Sequence, residues 1–147
     1  MSTKFQLVVD CSDPDRLARF WAEALGYVIE GPPEGFESWT AFWRSKGVPD
    51  QENYDGNDSI VDPKRAGPRI WFHKVPEPKV TKNRLHLDIE ASGGRELPIA
   101  TRKERVNKAA ERLVKLGATL LEVWDETEID HYAAGMQDPE GNEFDIN

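Results

Sequence analysis

The feature that most constrains this chain is one strand–helix pattern that occurs twice. Phe5-Gln-Leu7 opens the first copy with alternating side chains, and Leu85-His-Leu87 opens the second copy in the same way. The segment Leu25-Gly-Tyr-Val-Ile-Glu30 has its counterpart in Leu116-Gly-Ala-Thr-Leu-Leu-Glu122. A period of roughly 80 to 90 residues is longer than a solenoid repeat, so the pattern indicates two modules in one domain rather than an array.

The first copy begins with a strand and continues into a helix with clear start and stop signals. Asp13 suits the N-cap, Pro14 suits the first helical position and Gly26 suits the end. Apolar residues recur between them at helical spacing: Leu17, Phe20, Trp21, Ala24 and Leu25. Residues 27–30, 39–43 and 69–75 are predicted strands, and residues 44–68 a long polar surface loop.

The second copy repeats this order. Residues 85–90 alternate as a strand, and Thr101 with Glu104 forms a capping box for a helix that ends at Gly117. The predicted fold is therefore α+β, with two tandem βαβββ modules forming a curved mixed sheet around a central cleft. We expect one domain over residues 1–147, with module one at about 4–75, a linker at about 76–83 and module two at about 84–147.

Strand alternation places polar side chains on the face opposite the helices. Leu85, Leu87 and Ile89 are predicted to pack on the helix of the second module. The opposite face would then carry Gln6, His86 and Asp145. Pairing of the two modules would bring these residues together in a metal or substrate pocket.

Tryptophans form the second group of candidate binding residues. Trp39 and Trp43 are four residues apart on a predicted strand, so they share a face, and Trp71 can extend it. An aromatic wall of this kind binds flat or cationic ligands, although core or dimer packing would use the same residues.

Charge and cysteine content exclude several functions. The net charge of -8 argues against a nucleic-acid partner and favours a cationic ligand. Cys11 is the only cysteine, which excludes a cysteine-based zinc cluster. The sequence has no apolar stretch of membrane-spanning length and no signal-peptide core, so we expect a cytoplasmic protein without membrane attachment.

Several short motifs occur in a fixed order along the two copies. They are Asp10-Cys-Ser-Asp-Pro-Asp15, Phe20-Trp-Ala-Glu-Ala-Leu-Gly26, Val75-Pro-Glu-Pro-Lys79, Lys82-Asn-Arg-Leu-His-Leu-Asp88, Leu116-Gly-Ala118 and Asp138-Pro-Glu-Gly-Asn-Glu-Phe144. With them the chain resembles the vicinal oxygen chelate superfamily, which contains glyoxalase I, bleomycin-resistance proteins and extradiol dioxygenases. It looks most like the small bacterial glyoxalase-like proteins. The resemblance covers nearly the whole chain apart from residues 44–68.

The resemblance implies a ligand set for a divalent metal such as Zn, Ni, Fe or Mn. Metalloenzymes of the superfamily commonly take one ligand from the first and one from the last strand of each module. The matching positions hold Gln6, His86 and Asp145, and the fourth lies in residues 69–75. Alternation favours Trp71 or His73 there and leaves Phe72 open. His73, His86 and Asp145 would give two histidines and one carboxylate, a set that suits Fe(II). Gln6 and Asp145 depart from the usual histidine and glutamate.

Two functions follow. The first is a divalent-metal lyase, isomerase or dioxygenase that acts on a small molecule with vicinal oxygens. The second is a metal-free protein of the bleomycin-resistance kind that binds a small molecule or antibiotic, with Trp39, Trp43, Trp71 and His73 in contact with the ligand. The resemblance also implies a homodimer.

Overall fold

A computed structural model of the chain describes residues 2–49 and 56–147. The chain divides into two compact units, Met1–Pro76 and Glu77–Asn147. Each unit contains one four-stranded mixed sheet, and three α-helices and one 3-10 turn complete the secondary structure of the described residues. The predicted α+β class and the tandem modules are confirmed. In the described ranges, no helix has the length and apolar character of a membrane span.

The first unit follows the predicted order with one added helix. Its elements are β1 (Gln6–Cys11), α1 (Pro14–Leu25), β2 (Val28–Ile29), α2 (Trp39–Ser45), β3 (Ser59–Val61) and β4 (Arg69–Lys74). The sheet order is β1-β4-β3-β2, in which β1 and β4 are parallel and the other neighbours are antiparallel. Helix α1 packs on β3 and β4.

Helix α1 forms where its sequence signals place it. The Asp13 carboxylate accepts a hydrogen bond from the Arg16 backbone N–H at 3.1 Å, and Pro14 occupies the first turn. Gly26 ends the helix with a φ of 69°, a conformation that glycine adopts without steric cost. The predicted apolar stripe is buried at Leu17, Phe20, Trp21 and Ala24. The first module therefore has its core between this helix and the sheet.

Residues 39–43 form a helix, so the predicted strand is wrong. The Ser38 hydroxyl caps helix α2 by accepting a hydrogen bond from the Ala41 backbone N–H at 3.0 Å. Trp39 and Trp43 stack one helical turn apart, with ring centroids 6.3 Å apart. Local capping and this aromatic contact outweigh the strand propensity of the tryptophans.

The predicted loop over residues 44–68 is also wrong in part. Strand β3 (Ser59–Val61) lies within it, and all three of its residues are buried. It pairs with β2 and β4 and so completes the sheet. Residues 50–55 of that predicted loop lie outside the described residues.

The second unit has the βαβββ order. Its elements are β5 (Asp88–Ile89), α3 (Ile99–Lys115), β6 (Thr119–Glu126), a 3-10 turn (Thr127–Ile129), β7 (His131–Gln137) and β8 (Glu143–Ile146). The sheet order is β5-β8-β7-β6, and only β5 and β8 run parallel among these pairs. The parallel pair β5/β8 therefore corresponds to the pair β1/β4 of the first unit.

Helix α3 begins earlier than predicted. Its first residue is Ile99 and its N-cap is Pro98, without a side-chain capping bond, so the predicted capping box of Thr101 and Glu104 is wrong. Thr101 lies inside the first turn because Pro98 already fixes an extended backbone before the helix. The apolar stripe is buried at Val106, Ala110 and Leu113.

The strand predicted over residues 85–90 is short in the structure. Only Asp88 and Ile89 pair with β8, and Leu85 is 87% exposed, so its predicted packing on the helix is wrong. The Glu143 carboxylate, at the start of β8, accepts a hydrogen bond from the Asn83 backbone N–H at 2.9 Å. The chain before β5 is thus bound to β8 by this side chain and also by a backbone bond, in which the Asp145 N–H donates to the Leu87 carbonyl.

Candidate metal centre in the second module

Three potential metal ligands lie together at the parallel pair β5/β8. Asp88 and Asp145 are register partners, and His86 precedes β5 by two residues. The His86 Nε2 atom lies 3.3 Å from the Asp145 Oδ2 atom and 3.5 Å from the Asp88 Oδ1 atom. One ligand atom from each residue lies within 4.8 Å of the other two. One imidazole nitrogen and two carboxylates are a donor set that divalent transition metals accept.

The structure adds Asp88 to the residues that the sequence singled out. His86 and Asp145 are brought together, and Asp88 completes the group. The sequence contains the pattern that places Asp88 beside His86. Side chains two residues apart on a strand share a face, and Asp88 follows His86 at that spacing.

Asp145 is the least exposed of the three ligands. Its side chain is 28% exposed, compared with 39% for His86 and 55% for Asp88. Burial raises the pKa of the Asp145 carboxyl, the nearby His86 opposes this change, and the negative charge of Asp88 adds to it. Burial, assisted by the Asp88 charge, therefore disfavours the ionised form of Asp145, and a cation bound beside it would offset this cost.

The neighbouring carboxylate, Glu143, has a different partner. It accepts hydrogen bonds from the Asn83 backbone N–H at 2.9 Å and from the Lys79 Nζ atom at 3.2 Å. These bonds, chiefly that from Asn83, lower the pKa of Glu143 to about 2. We call Lys79, Asn83 and Glu143 the linker clasp. Because Glu143 is committed to this clasp, Asp145 is the carboxylate of β8 that remains for a ligand.

The turn before β8 is held by another acid. The Asp138 carboxylate accepts hydrogen bonds from the backbone N–H groups of Glu140 and Asn142 at 2.9 and 3.0 Å. Asp138 is only 3% exposed, and Gly141 adopts a φ of 83° within the turn. The Asp138–Phe144 motif thus serves to place the strand that carries Asp145.

In the first unit, Gln6 is engaged by an arginine. The Arg69 guanidinium donates to the Gln6 Oε1 atom at 3.0 Å, to the Glu30 Oε2 atom at 2.6 Å and to the Ser59 Oγ atom at 2.7 Å. The Gln6 amide oxygen, which is the atom that would bind a metal, therefore already accepts a hydrogen bond from the Arg69 guanidinium. This contact disfavours Gln6 as a ligand.

The structure also orients the fourth position. Phe72 is 1% exposed and belongs to the core, whereas Trp71 and His73 lie on the opposite face of β4. Trp71 is the register partner of Val8, just as Asp145 is the partner of Asp88. When Gln6 is matched with His86, Val8 corresponds to Asp88 and Trp71 to Asp145. The first module thus has two apolar residues where the second has two carboxylates.

The aromatic candidates form two pairs within the first unit. Trp39 and Trp43 stack on α2, and the Trp39 indole N–H donates to the Glu30 carbonyl at 3.2 Å. Trp71 and His73 lie on β4 with ring centroids 4.6 Å apart. The Trp71 indole N–H donates to Asp58 at 3.1 Å, and the His73 Nδ1 atom lies 3.3 Å from the Asp10 Oδ1 atom. The indole N–H groups of Trp39 and Trp71 both have hydrogen-bond acceptors, so the ring faces are the parts available for contact with a ligand.

Comparison with known proteins assigns the chain to a family. The model of the glyoxalase-like domain matches residues 6–147. This chain belongs to the glyoxalase-like family. The predicted resemblance to the vicinal oxygen chelate superfamily is confirmed. No curated protein sequence matches the chain.

Solved structures share the glyoxalase-like fold at low sequence identity. A glyoxalase/bleomycin resistance protein/dioxygenase family enzyme from Burkholderia phytofirmans is 17% identical, with a TM-score of 0.60 and coverage of 97% of this chain and 94% of that chain. A variant of the fosfomycin resistance protein FosX from Listeria monocytogenes, solved with Mn(II) and 1S,2S-dihydroxypropylphosphonic acid, is 11% identical, with a TM-score of 0.61 and coverage of 100% and 90%. The oxidase ChaP-H2 is 15% identical, with a TM-score of 0.56 and coverage of 99% and 92%. At these identities the likeness establishes the fold alone.

Proposed function

We propose that this glyoxalase-like protein is a divalent-metal lyase, isomerase or dioxygenase that acts on a small molecule with two neighbouring oxygen atoms. His86, Asp88 and Asp145 would hold the ion. The observation that carries the proposal is the convergence of these three donors within 4.8 Å in one module. The presence of Mn(II) in the FosX structure shows that a protein of this fold accepts such an ion, and it supports Mn, Fe, Ni or Zn as the metals to test first.

The three residues fit this role by number and by chemistry. Three protein donors leave coordination positions open for a substrate that brings two oxygens. A divalent ion, when bound, supplies Lewis acidity that stabilises negative charge on a substrate oxygen. Asp145 is held in place because its backbone N–H donates to the Leu87 carbonyl at 2.9 Å. The linker clasp and the Asp138 turn fix the start of the same strand.

Metal binding is tested with protein purified without chelator. We expect about one divalent ion per chain by elemental analysis, and metal affinity at least ~10-fold weaker after His86→Ala or Asp145→Asn. His73→Ala is the matched control, because His73 faces Asp10 at the same 3.3 Å that separates His86 from Asp145 but is not part of the three-ligand group. A chain without metal, or equal affinities for wild type and His86→Ala, would rule out the metal centre.

A metal-free ligand-binding protein is the second candidate. It is favoured by the first module, where Arg69 engages Gln6 and Trp71 occupies the position that corresponds to Asp145. The adjacent Trp71 and His73 rings, together with the net charge of -8, suit a flat or cationic small molecule.

A thermal-shift screen against cationic antibiotics separates the two candidates when it is run in EDTA. Stabilisation that persists in EDTA and is lost in Trp71→Ala supports metal-free binding. The absence of any stabilising compound in EDTA counts against it. The homodimer implied by the resemblance stays a prediction, and light scattering coupled to size exclusion tests it.

A further inference from the structure

The second unit contains a pocket that is separate from the three-ligand cluster. Its volume is about 540 Å³, and it lies where β5 and β8 end and β7 begins. Its walls include Glu90, Ser92, Arg95, Arg102, His131 and Tyr132. The Ala91 and Ser92 backbone N–H groups both donate to the Asn147 carbonyl, at 2.7 and 2.9 Å, so the loop that forms one wall is attached to the end of β8. A volume of this size accommodates a small organic ligand.

A buried guanidinium lines this pocket. The Arg102 side chain is only 6% exposed, and it donates to the Leu97 carbonyl, to the Asp130 carbonyl and to the Asp130 carboxylate. These bonds use one hydrogen on each of its three nitrogens and leave two N–H donors. The Asp130 carboxylate neutralises Arg102, so this residue offers fixed hydrogen-bond donors rather than net charge.

Two further charged groups on the pocket wall have no such partner. Within residues 2–49 and 56–147, the Arg95 and Glu90 side chains make no ion pair or hydrogen bond, and both residues are exposed. One is positive and the other negative. A ligand that carries only an anion would meet the uncompensated Glu90, and a ligand that carries only a cation would meet the uncompensated Arg95. A ligand with both charges satisfies the two groups together.

Two glycines form part of the wall of the pocket. Gly93 and Gly94 have φ values of 86° and 103°, and a Cβ atom at Gly93 would meet the Arg105 Nη1 atom at 2.1 Å. A Cβ atom at Gly94 would meet nothing within 4 Å. Glycine is therefore favoured at Gly93 by the close approach of Arg105 and by its positive φ, and at Gly94 by its positive φ alone.

We propose that this pocket binds a small zwitterion of the amino-acid type, with its carboxylate at Arg95 and the free N–H groups of Arg102 and its ammonium group at Glu90. Arginine recognises carboxylates with paired hydrogen bonds, which fixes the orientation of the ligand. The pocket needs no metal, so this proposal stands apart from the function of the His86, Asp88 and Asp145 cluster.

Calorimetric titration of the whole chain in EDTA with L-glutamine, N-acetyl-L-glutamine and L-glutamine amide tests the proposal. The second compound lacks the ammonium group and the third lacks the carboxylate. We expect L-glutamine to bind at least ~10-fold more tightly than either analogue, because each analogue loses one charge-assisted contact. Equal affinities for the three compounds, or no heat of binding with up to ~10 mM L-glutamine, would overturn the proposal.

Two variants locate the bound ligand. Arg95→Ala and Glu90→Gln alter exposed side chains, and each should weaken L-glutamine binding by ~10-fold or more. Arg16→Ala, at an exposed position of α1 in the first unit, is the control and should bind as the wild type does. Amide chemical shifts of Gly93 and Gly94 should move with L-glutamine. Binding that is unchanged in both pocket variants would contradict the assignment even if the titration shows an affinity.

Discussion

Replacing Glu143 by Gln removes the negative charge of the linker clasp and keeps the shape of the side chain. The pKa of Glu143 falls from 4.5 to about 2 in the folded chain. Without solvent screening, this change corresponds to about 3 kcal/mol of stability at neutral pH. Glu143 is 17% and Lys79 24% exposed at the side chain, so solvent screens part of this. We expect Glu143→Gln to lower the free energy of unfolding by about 1–2 kcal/mol at pH 7.

The pH dependence of this loss follows from the direction of the pKa change. A depressed folded-state pKa contributes stability that is complete above the unfolded value of 4.5 and disappears as the pH falls through about 2. At pH 3.5 the difference between wild type and Glu143→Gln should therefore be roughly 60 per cent of its value at pH 7. Urea unfolding, monitored by circular dichroism at pH 7, 4.5 and 3.5, measures this difference in the free energy of unfolding.

A matched control separates the clasp from a general effect of charge. Glu111→Gln changes an exposed carboxylate of α3 and should alter the free energy of unfolding by less than about 0.5 kcal/mol at every pH. If Glu143→Gln behaves like Glu111→Gln, or if its effect is the same at pH 3.5 as at pH 7, the clasp does not stabilise the fold in the way described.

Two further substitutions test other parts of the structure. Gly67→Ala should lower the free energy of unfolding by about 1–3 kcal/mol, because a Cβ atom there would meet the Tyr27 hydroxyl at 2.0 Å; an unchanged urea midpoint would contradict this packing. Asp145→Asn should stabilise the metal-free chain at pH 7, because burial raises the pKa of this carboxyl and its charged form therefore opposes folding. Urea unfolding in EDTA measures this effect, and a less stable Asp145→Asn chain would show that the Asp145 charge is better compensated than we infer.

Helix α1 was predictable because every local signal agreed. Asp13, Pro14 and Gly26 mark its ends, and the apolar spacing between them has one period. Helix α2 was not predictable from the tryptophans. Positions four apart share a face in a strand and also in a helix, so the spacing of Trp39 and Trp43 fits both, and the Ser38 cap decides between them.

The candidate site was predictable in part for a similar reason. His86 and Asp145 could be chosen from strand alternation together with the resemblance, and they lie 3.3 Å apart. The engagement of Gln6 by Arg69 depends on the register of β1 with β4, which is set by packing between residues far apart in sequence. Asp88 was not predicted because the resemblance implies a single ligand from each strand.

The contacts of Arg69 have a consequence for how the first sheet opens. Arg69 lies on β4, and its guanidinium bonds to Gln6 on β1, to Ser59 on β3 and to Glu30 directly after β2. One side chain therefore links all four strands of the sheet, which are otherwise joined in neighbouring pairs. An opening that moves β4 must break all three bonds together, so we expect the strands to be coupled in local unfolding. We therefore expect the sheet that Arg69 joins to open as one cooperative unit in hydrogen exchange.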